Sequence, residues 1–309
     1  MIKTPQIHKE FRADIKEHLI RGVFFSTAFL SVITTVGIVV VLLVDSIDFF
    51  REISIIDFFT SRRWSPTIKP AEFGVLSLIS GTLTFTLGAA LVAIPTGLLA
   101  AVYLSEYASE RVRGILKPAL EMLAGIPTVV YGFFALVYIT PFLKMIFPDL
   151  RTFNVMSASI VVGIMIIPTI ASISEDALRA VPKTLRDAGY GLGITKFQVT
   201  GTIVVPAALS GIVSSFLLGI SRAIGETMAV TIAGGNLSRI VNWLEPKEAL
   251  FNPVQTMTAA MVEIGVSDVS GDSVAYKSLF AVGLTLFVMT MLLNILSQYI
   301  KNRYREKYE

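Results

Sequence analysis

Two residues of opposite charge, Arg222 and Glu226, stand four positions apart inside a strongly apolar stretch of the chain. If this stretch is one helix, both side chains lie on the same face and can neutralise each other. A charge at the centre of a bilayer costs at least ~2.5–3.5 kcal/mol, so the pair is expected to face a cavity or a partner. One interpretation is a structural ion pair that fixes helix packing.

The other interpretation is a site for a tetrahedral oxyanion. A guanidinium binds such an anion through two parallel hydrogen bonds. A nearby carboxylate accepts a hydrogen bond from a protonated phosphate and repels an anion that has no proton to give, which favours phosphate over sulfate. Ser221 and Thr227 are additional hydroxyl donors, although hydrogen bonding between helices explains them equally well. The small residues Gly219, Ala223 and Gly225 would let a second subunit come close.

The elements that hold these side chains must lie in lipid. Of the 309 residues, 53% are hydrophobic and 16% are charged, whereas soluble domains carry about 25% charged residues. Six apolar stretches are long enough to cross a bilayer, which predicts an all-α membrane protein with six transmembrane helices. The predicted spans are 22–44, 75–104, 119–142, 155–173, 207–234 and 276–300. Pro95 is expected to bend the second span, and Pro127 and Pro168 are expected to break the third and fourth.

The distribution of basic residues predicts the orientation of these spans. With the N-terminus inside, sixteen Lys and Arg fall in inside segments and eight in outside segments, although the outside segments are longer in total. This is the pattern of a multi-pass protein of the cell (inner or plasma) membrane with both termini in the cytoplasm. The expected organisation is a cytoplasmic segment 1–21, a membrane domain 22–300 and a cytoplasmic tail 301–309. The long outer loops 45–74 and 235–275 are expected to contact an external partner.

The inside loop 174–206 predicts a short amphipathic helix. Pro182 suits the first turn of a helix, and Gly191 and Gly193 are expected to end that helix after about Tyr190. Its apolar stripe consists of Leu185, Ala188, Gly189 and Leu192. The charged residues expected to face elsewhere are Lys183, Arg186 and Asp187. Such a helix lies on lipid or docks in a groove of a partner.

The spacing in this loop resembles the EAA loop of ABC importer permeases: Glu-Ala-Ala, three residues, Gly, nine residues, Ile, one residue, Leu-Pro. Here the matching residues are Asp187-Ala188-Gly189, Gly193, Ile203 and Val205-Pro206. The resemblance implies the type I ABC importer permease fold, with a core over about 75–300 and a coupling helix that docks on an ATPase subunit. The residues to which it assigns this coupling role are Leu185, Asp187, Ala188, Gly189, Gly193, Ile203 and Pro206.

The chain contains no GxxxxGK[ST] phosphate loop, so ATP and Mg²⁺ would be bound by a partner subunit. It is therefore expected to be a transport subunit with no catalytic residue, no cofactor and no metal site of its own. His8 and His18 are alone in a charged segment and complete no ligand set.

Two spans resemble, more narrowly, the phosphate-specific permeases of the PstC family. The segment 221–230, SRAIGETMAV, resembles the fifth span of that family, and the segment 123–134, LAGIPTVVYGFF, resembles its third span. In that family an Arg and a Glu of the fifth span are implicated in phosphate passage. The resemblance assigns this role to Arg222 and Glu226, with Ser221 and Thr227 beside them.

The resemblance also implies a set of partners. These are a homologous PstA-like permease subunit, a PstB-like dimer of ATP-binding subunits and an extracytoplasmic PstS-like phosphate-binding protein. No nucleic acid is expected.

Several alternatives stay open on the sequence. Thr128 and Tyr131 follow Pro127 and either line a path or surround a packing kink. The cargo is phosphate or another oxyanion such as sulfate or molybdate, and a passive anion channel is a further possibility. An intramembrane enzyme is excluded, because no span contains a His and the charged pair lacks a nucleophile with a base.

Overall fold

The structure, a computed structural model, describes the backbone of residues 6–303 and the side chains of residues 19–300. Most of this part of the chain is helical. The helices of the first half are α1 (Gln6–Glu52), α2 (Ile55–Thr60), α3 (Leu76–Val102), α4 (Glu110–Ala124), α5 (Thr128–Phe134), α6 (Thr140–Ile146) and α7 (Val155–Arg179). Those of the second half are α8 (Lys183–Gly191), α9 (Lys196–Val199), α10 (Val205–Ala207), α11 (Leu209–Ile224), α12 (Met228–Gly234), α13 (Pro246–Phe251), α14 (Met257–Val266) and α15 (Val274–Arg303).

Short elements complete this architecture. The π-helical turns Tyr103–Tyr107, Ala135–Ile139 and Thr200–Val204 continue α3, α5 and α9. Two antiparallel strands, β1 (Trp64–Ser65) and β2 (Glu72–Phe73), form a small hairpin. The predicted segment 1–21 lies partly outside the described side chains, and the predicted tail 301–309 lies wholly outside them, together with His8 and His18.

The predicted six-span architecture is confirmed. Five helical runs are long and apolar enough to cross a membrane: Leu19–Glu52, Leu76–Tyr107, Thr128–Ile146, Val155–Arg179 and Val274–Ile300. The remaining span, which is the fifth in chain order, is formed by the pair Lys196–Ala207 and Leu209–Ile224. The two parts of this pair are bent by 71°.

The boundaries of the third span differ from the predicted 119–142. Residues 119–124 belong to α4, a separate amphipathic helix that Ser109 caps and that has no buried residue. The new helix begins after Pro127, because the residue before a proline is disfavoured in the helical region. The apolar residues at the end of α4 had made the two helices look continuous in hydropathy.

The fourth span contradicts the prediction that Pro168 breaks it. Helix α7 runs without interruption to Arg179, and Pro168 is buried inside it. Close packing against α3 and α11 holds α7 together across the proline. Residues 174–179 therefore belong to this helix and not to the loop 174–206.

The fifth span is broken twice, whereas the sequence predicts one continuous segment over 207–234. Its first part begins at Lys196, within the predicted loop, and the bend falls at Ala208. Helix α11 ends at Ile224, and α12 begins only at Met228. Residues 225–227 form the joint between them.

Helices α3, α7 and α11 pack through small residues to form the main core. A Cβ on Gly97 would lie 2.8 Å from Cγ2 of Ile170, and a Cβ on Gly219 would lie 2.8 Å from Cγ1 of the same residue. Ala223 is buried in the same cluster. The expectation that Gly219 and Ala223 admit a second subunit is therefore wrong, because these residues admit α7 of the same chain.

Both long outer loops are folded. The residues of 45–74 form the end of α1, α2 and the hairpin, and their aromatic side chains pack with α14 and α15 around Phe49 and Phe58. Within 235–275, residues 238–243 follow α3 through three hydrogen bonds. These join Ser238 Oγ to Ser77 Oγ (2.8 Å), Val241 N to Ser80 Oγ (2.9 Å) and Trp243 Nε1 to Thr84 Oγ1 (2.8 Å).

Helix α1 contacts the rest of the described chain mainly near its outer end. Between Leu19 and Asp45 no side chain is buried, whereas Ser46 and Phe49 are buried. Its partner is α15, where a Cβ on Gly283 would lie 3.1 Å from Cδ2 of Leu42.

Candidate functional site

Arg222 lies in the last turn of α11 with its side chain exposed. Its Nη1 is 3.4 Å from Oγ1 of Thr169 on α7. The described side chains 19–300 place no carboxylate within 4 Å of this guanidinium. The predicted ion pair with Glu226 is therefore not formed, and the structural ion-pair interpretation is wrong. Thr169 was not singled out from the sequence, because only the fold brings it beside Arg222.

Glu226 is separated from Arg222 by the end of the helix. The same-face argument fails because α11 stops at Ile224 and Glu226 occupies the joint. Its Oε1 accepts a hydrogen bond from Ala229 N at 3.2 Å, and its backbone oxygen accepts one from Thr258 Oγ1 at 2.9 Å. Glu226 is 8% exposed. The carboxylate thus fixes the start of α12, and the backbone oxygen of Glu226 ties the joint to α14.

The hydroxyls beside this pair differ in their hydrogen bonding. Ser221 Oγ is buried and has no hydrogen-bond partner among the described residues. Thr227 Oγ1 donates to Gly225 O at 3.2 Å within the joint. Neither makes the bond between helices that was the alternative explanation. Arg222 has five N–H donors and makes a single long hydrogen bond, so it has donors to spare for an anion.

Tyr131 supports the packing-kink interpretation of the third span. It is buried, and its hydroxyl donates to Leu123 O at 2.7 Å, across the break that precedes Pro127. A Cβ on the next residue, Gly132, would lie 2.9 Å from Cβ of Ile232 on α12. Thr128 is half-buried at the start of α5. Tyr131 therefore stabilises the kink, and Gly132 lets α5 lie close to α12.

The predicted amphipathic helix of the inside loop is confirmed as α8. Pro182 precedes its first residue, and Gly193 has a φ of +78°, a conformation that favours glycine. Gly191 is the last helical residue and does not follow the helix as expected, so α8 ends one residue later than predicted.

The apolar stripe of α8 is divided between two faces. Gly189 is buried, and a Cβ on it would lie 2.8 Å from Cδ1 of Ile203 and 3.0 Å from Cγ2 of Val199. Leu185 is half-buried, and Leu192 is 81% exposed. The other residues predicted to couple, Asp187, Ala188, Gly193 and Pro206, are exposed. Glycine at 189, where the EAA pattern has alanine, lets Ile203 pack directly on the helix.

Arg186 was expected to face away from the apolar stripe of α8, and no partner for it was predicted. Its guanidinium lies against the C-terminal ends of α3 and α7, with Nη2 at 2.9 Å from Glu106 Oε1. Its side chain is 15% exposed, and that of Glu106 is 6% exposed. The contact was not predicted from the sequence, because Glu106 lies 80 residues away from Arg186.

Glu175 is a second charged residue that the sequence analysis missed. Its side chain is fully buried, with Oε1 at 2.8 Å from Arg113 Nε and Oε2 at 2.6 Å from Lys117 Nζ. Hydrogen bonding to Glu175 raises the pKa of Lys117 above its usual value. A carboxylate directly after a long apolar run is a sequence signal for such a paired charge.

The sequence resembles known transport proteins over most of its length. Residues 93–306 match the family described as binding-protein-dependent transport system inner membrane component. The probable ABC transporter permease protein YqgH of Bacillus subtilis is 34% identical over 285 residues, which is 92% of this chain and 90% of that protein. The phosphate transport system permease protein PstC of Mesorhizobium japonicum is 34% identical over 265 residues, 80% of this chain and 78% of that protein.

Solved structures share the fold. A chain of a bacterial alginate ABC transporter, solved in complex with an alginate pentasaccharide-bound periplasmic protein, superposes with a TM-score of 0.66 at 14% identity. The match covers 96% of this chain and 99% of that chain. A chain of the inward-facing MetNI methionine ABC transporter gives a TM-score of 0.53 at 17% identity, over 75% of this chain and 95% of that chain.

Proposed function

Because the chain belongs to the family of binding-protein-dependent transport system inner membrane components, we propose that it is the permease subunit of an ATP-driven phosphate importer. Its PstC relatives support phosphate as the cargo. The chain is a multi-pass membrane permease, and the distribution of Lys and Arg supports an orientation with both termini in the cytoplasm.

The observation that carries the phosphate proposal is the exposed Arg222 in a spanning element. An unpaired guanidinium in lipid is costly, so this face of α11 lines a polar path or meets a partner. In the proposed path, Arg222 binds a phosphate oxygen pair through two N–H donors. Ser221 Oγ is a further buried donor close by in the sequence.

Glu226 contributes in a different way from the ion pair expected from the sequence. Its Oε1 is engaged by the backbone of α12, while its Oε2 makes no hydrogen bond within the described residues. In the proposed path this free oxygen accepts a hydrogen bond from protonated phosphate. A fully deprotonated anion such as sulfate lacks that hydrogen and is repelled. Thr227 holds the joint through its bond to Gly225.

The path is completed by partners that the chain would require. A homologous PstA-like permease subunit covers the open face of α11. Two PstB-like ATPase subunits bind ATP and Mg²⁺, and one of them receives α8 through Asp187, Ala188 and the protruding Leu192. A PstS-like binding protein delivers phosphate to the folded outer segments 45–74 and 235–275.

The proposal is tested by uptake of labelled phosphate into proteoliposomes that hold the purified complex, its binding protein and ATP. Arg222→Ala is expected to lower uptake about 10- to 100-fold, since a charge-assisted hydrogen bond contributes about 1.5–3 kcal/mol. The matched control is Arg21→Ala, because Arg21 is exposed near the start of α1, outside the segments proposed to bind phosphate or a partner. Glu226→Gln is expected to weaken the preference for phosphate over sulfate.

The outcomes separate the parts of the proposal. Normal uptake by Arg222→Ala would remove Arg222 from the path. Equal competition by sulfate or molybdate would favour a permease for another oxyanion. Uptake without ATP would favour a passive anion channel.

A further inference from the structure

We infer that Arg186 is the positioning residue that fastens the coupling helix α8 to the second and fourth spans, so that displacement of α8 moves these spans with it. The inference rests on the proposed function, because it concerns how ATP hydrolysis is linked to transport. The EAA spacing does not include position 186, so the resemblance gives this residue no role.

One guanidinium contacts three parts of the chain. Towards the second span, Arg186 Nη2 lies 2.9 Å from Glu106 Oε1 and Nε lies 3.4 Å from Glu106 Oε2. Towards the fourth span, Nη2 donates to Leu178 O at 2.8 Å and Nη1 donates to Val181 O at 2.6 Å. The arrangement uses the planar fork of arginine, which lysine does not have.

One of the two carbonyl contacts, to Leu178 O, lies in the last turn of α7, where a helix has unsatisfied acceptors, and the other, to Val181 O, lies two residues beyond the helix. The last carbonyls of α7 have no partner within the helix, and a cation near a helix C-terminus is favourable. Arg186 therefore completes the inner end of α7 and binds Glu106 with the same group. Because both side chains are largely buried, removal of either one leaves the other charge uncompensated.

The opposite face of α8 is held by apolar contact. Gly189 packs against Ile203 and Val199, which belong to the first part of the fifth span. Helix α8 is thus attached through Arg186 to the second and fourth spans and through Gly189 to the fifth. Leu185 of α8 also packs against the apolar cluster that includes Leu178, so Arg186 adds a directional polar attachment to this apolar contact.

A network next to this attachment ties the fourth span to α4. Glu175, three residues before Leu178, binds Arg113 and Lys117 of α4. The same α4 leads into the third span. A displacement that reaches α7 through Arg186 therefore also reaches α4 through Glu175.

The test measures phosphate import and ATP hydrolysis in the same proteoliposomes, so that the ratio of phosphate imported to ATP hydrolysed is obtained for each variant. Arg186→Ala and Glu106→Gln are expected to lower this ratio at least tenfold while ATP hydrolysis continues. Arg186→Lys keeps the charge without the fork and is expected to recover part of the ratio. Arg179→Ala is the control, because Arg179 lines the same polar cavity as Arg186. Its side chain is 41% exposed, and its contact with Glu175 is weak, at 4.0 Å.

The ratio distinguishes positioning from a merely structural role, which would lower the amount of complex and both activities together. If the complex with Arg186→Ala does not assemble, the test relies on Glu106→Gln, which keeps the shape of the side chain and removes its charge. An unchanged ratio in assembled Glu106→Gln complexes, or equal loss in Arg179→Ala, would overturn the inference. Failure of the proposed function would be visible separately, as absence of ATP-dependent phosphate import by the wild-type complex.

Discussion

At the scale of single residues, burial decides which charges hold the inner side of the molecule together. Glu175 and Asp176 are neighbours in sequence and both contact Lys117, at 2.6 Å and 3.0 Å. Their surroundings are opposite, because the Glu175 side chain is fully buried and that of Asp176 is 66% exposed. A buried pair that loses one partner leaves a charge in a poorly solvated place, whereas an exposed pair is replaced by water.

These two carboxylates therefore form a matched pair for a stability experiment. Glu175→Ala is expected to destabilise the protein by about 3–5 kcal/mol, and Asp176→Ala by less than about 1 kcal/mol. The measurement is the midpoint of thermal unfolding of the detergent-solubilised complex. Equal shifts for the two variants would mean that burial is not what gives Glu175 its importance.

At the scale of elements, hydropathy located every span but did not locate the joints. The residues before Pro127 are apolar, so the end of α4 was counted as part of the third span. The Gly225–Thr227 joint also lies in an apolar stretch, and only the fold shows that Thr258 and Ala229 hold it. The short helix α8 was predictable because its start and end signals, Pro182 and Gly193, are local. The Arg186–Glu106 contact was not predictable, because packing across 80 residues creates it.

The order of the elements gives a direct test of orientation. The chain has no cysteine, so single cysteines can be introduced at Ile68 (70% exposed) and Leu192 (81% exposed). Three spans separate these positions, which places them on opposite sides of the membrane. Ile68→Cys is expected to react with an impermeant maleimide in intact cells, and Leu192→Cys only after permeabilisation. Labelling from one side in both variants would contradict the span count, and a reversed result would contradict the orientation.

At the scale of the whole molecule, the single chain leaves a charged side chain exposed on a membrane-spanning helix. The main core joins α3, α7 and α11, yet Arg222 at the end of α11 is exposed. A membrane protein does not leave a guanidinium against lipid without cost. This exposed face of α11 supports the proposal that a homologous permease subunit covers it.

Replacement of Arg222 is therefore expected to have opposite effects on the chain alone and on the complete complex. Expressed without partners, Arg222→Leu is expected to have a half-life at least about threefold longer than the wild-type chain, because the cost of the exposed charge is removed. In the complete complex the same substitution is expected to abolish phosphate import. Pulse-chase labelling measures the half-life, with Arg51→Leu as the control. Equal half-lives would show that Arg222 is already shielded within the single chain.

Helix α1 has a consequence for the evolution and engineering of the molecule. Because no side chain from Leu19 to Asp45 is buried in the described chain, lipid constrains these positions more than packing does. Their identities are free to drift among apolar residue types, whereas Phe49, near the end of the same helix, is fixed by a packed core. The first span is therefore an exchangeable membrane anchor up to Val41, and a chimera that carries an unrelated apolar helix of equal length up to that residue would keep the contact of Leu42 with α15 and the remainder of the fold.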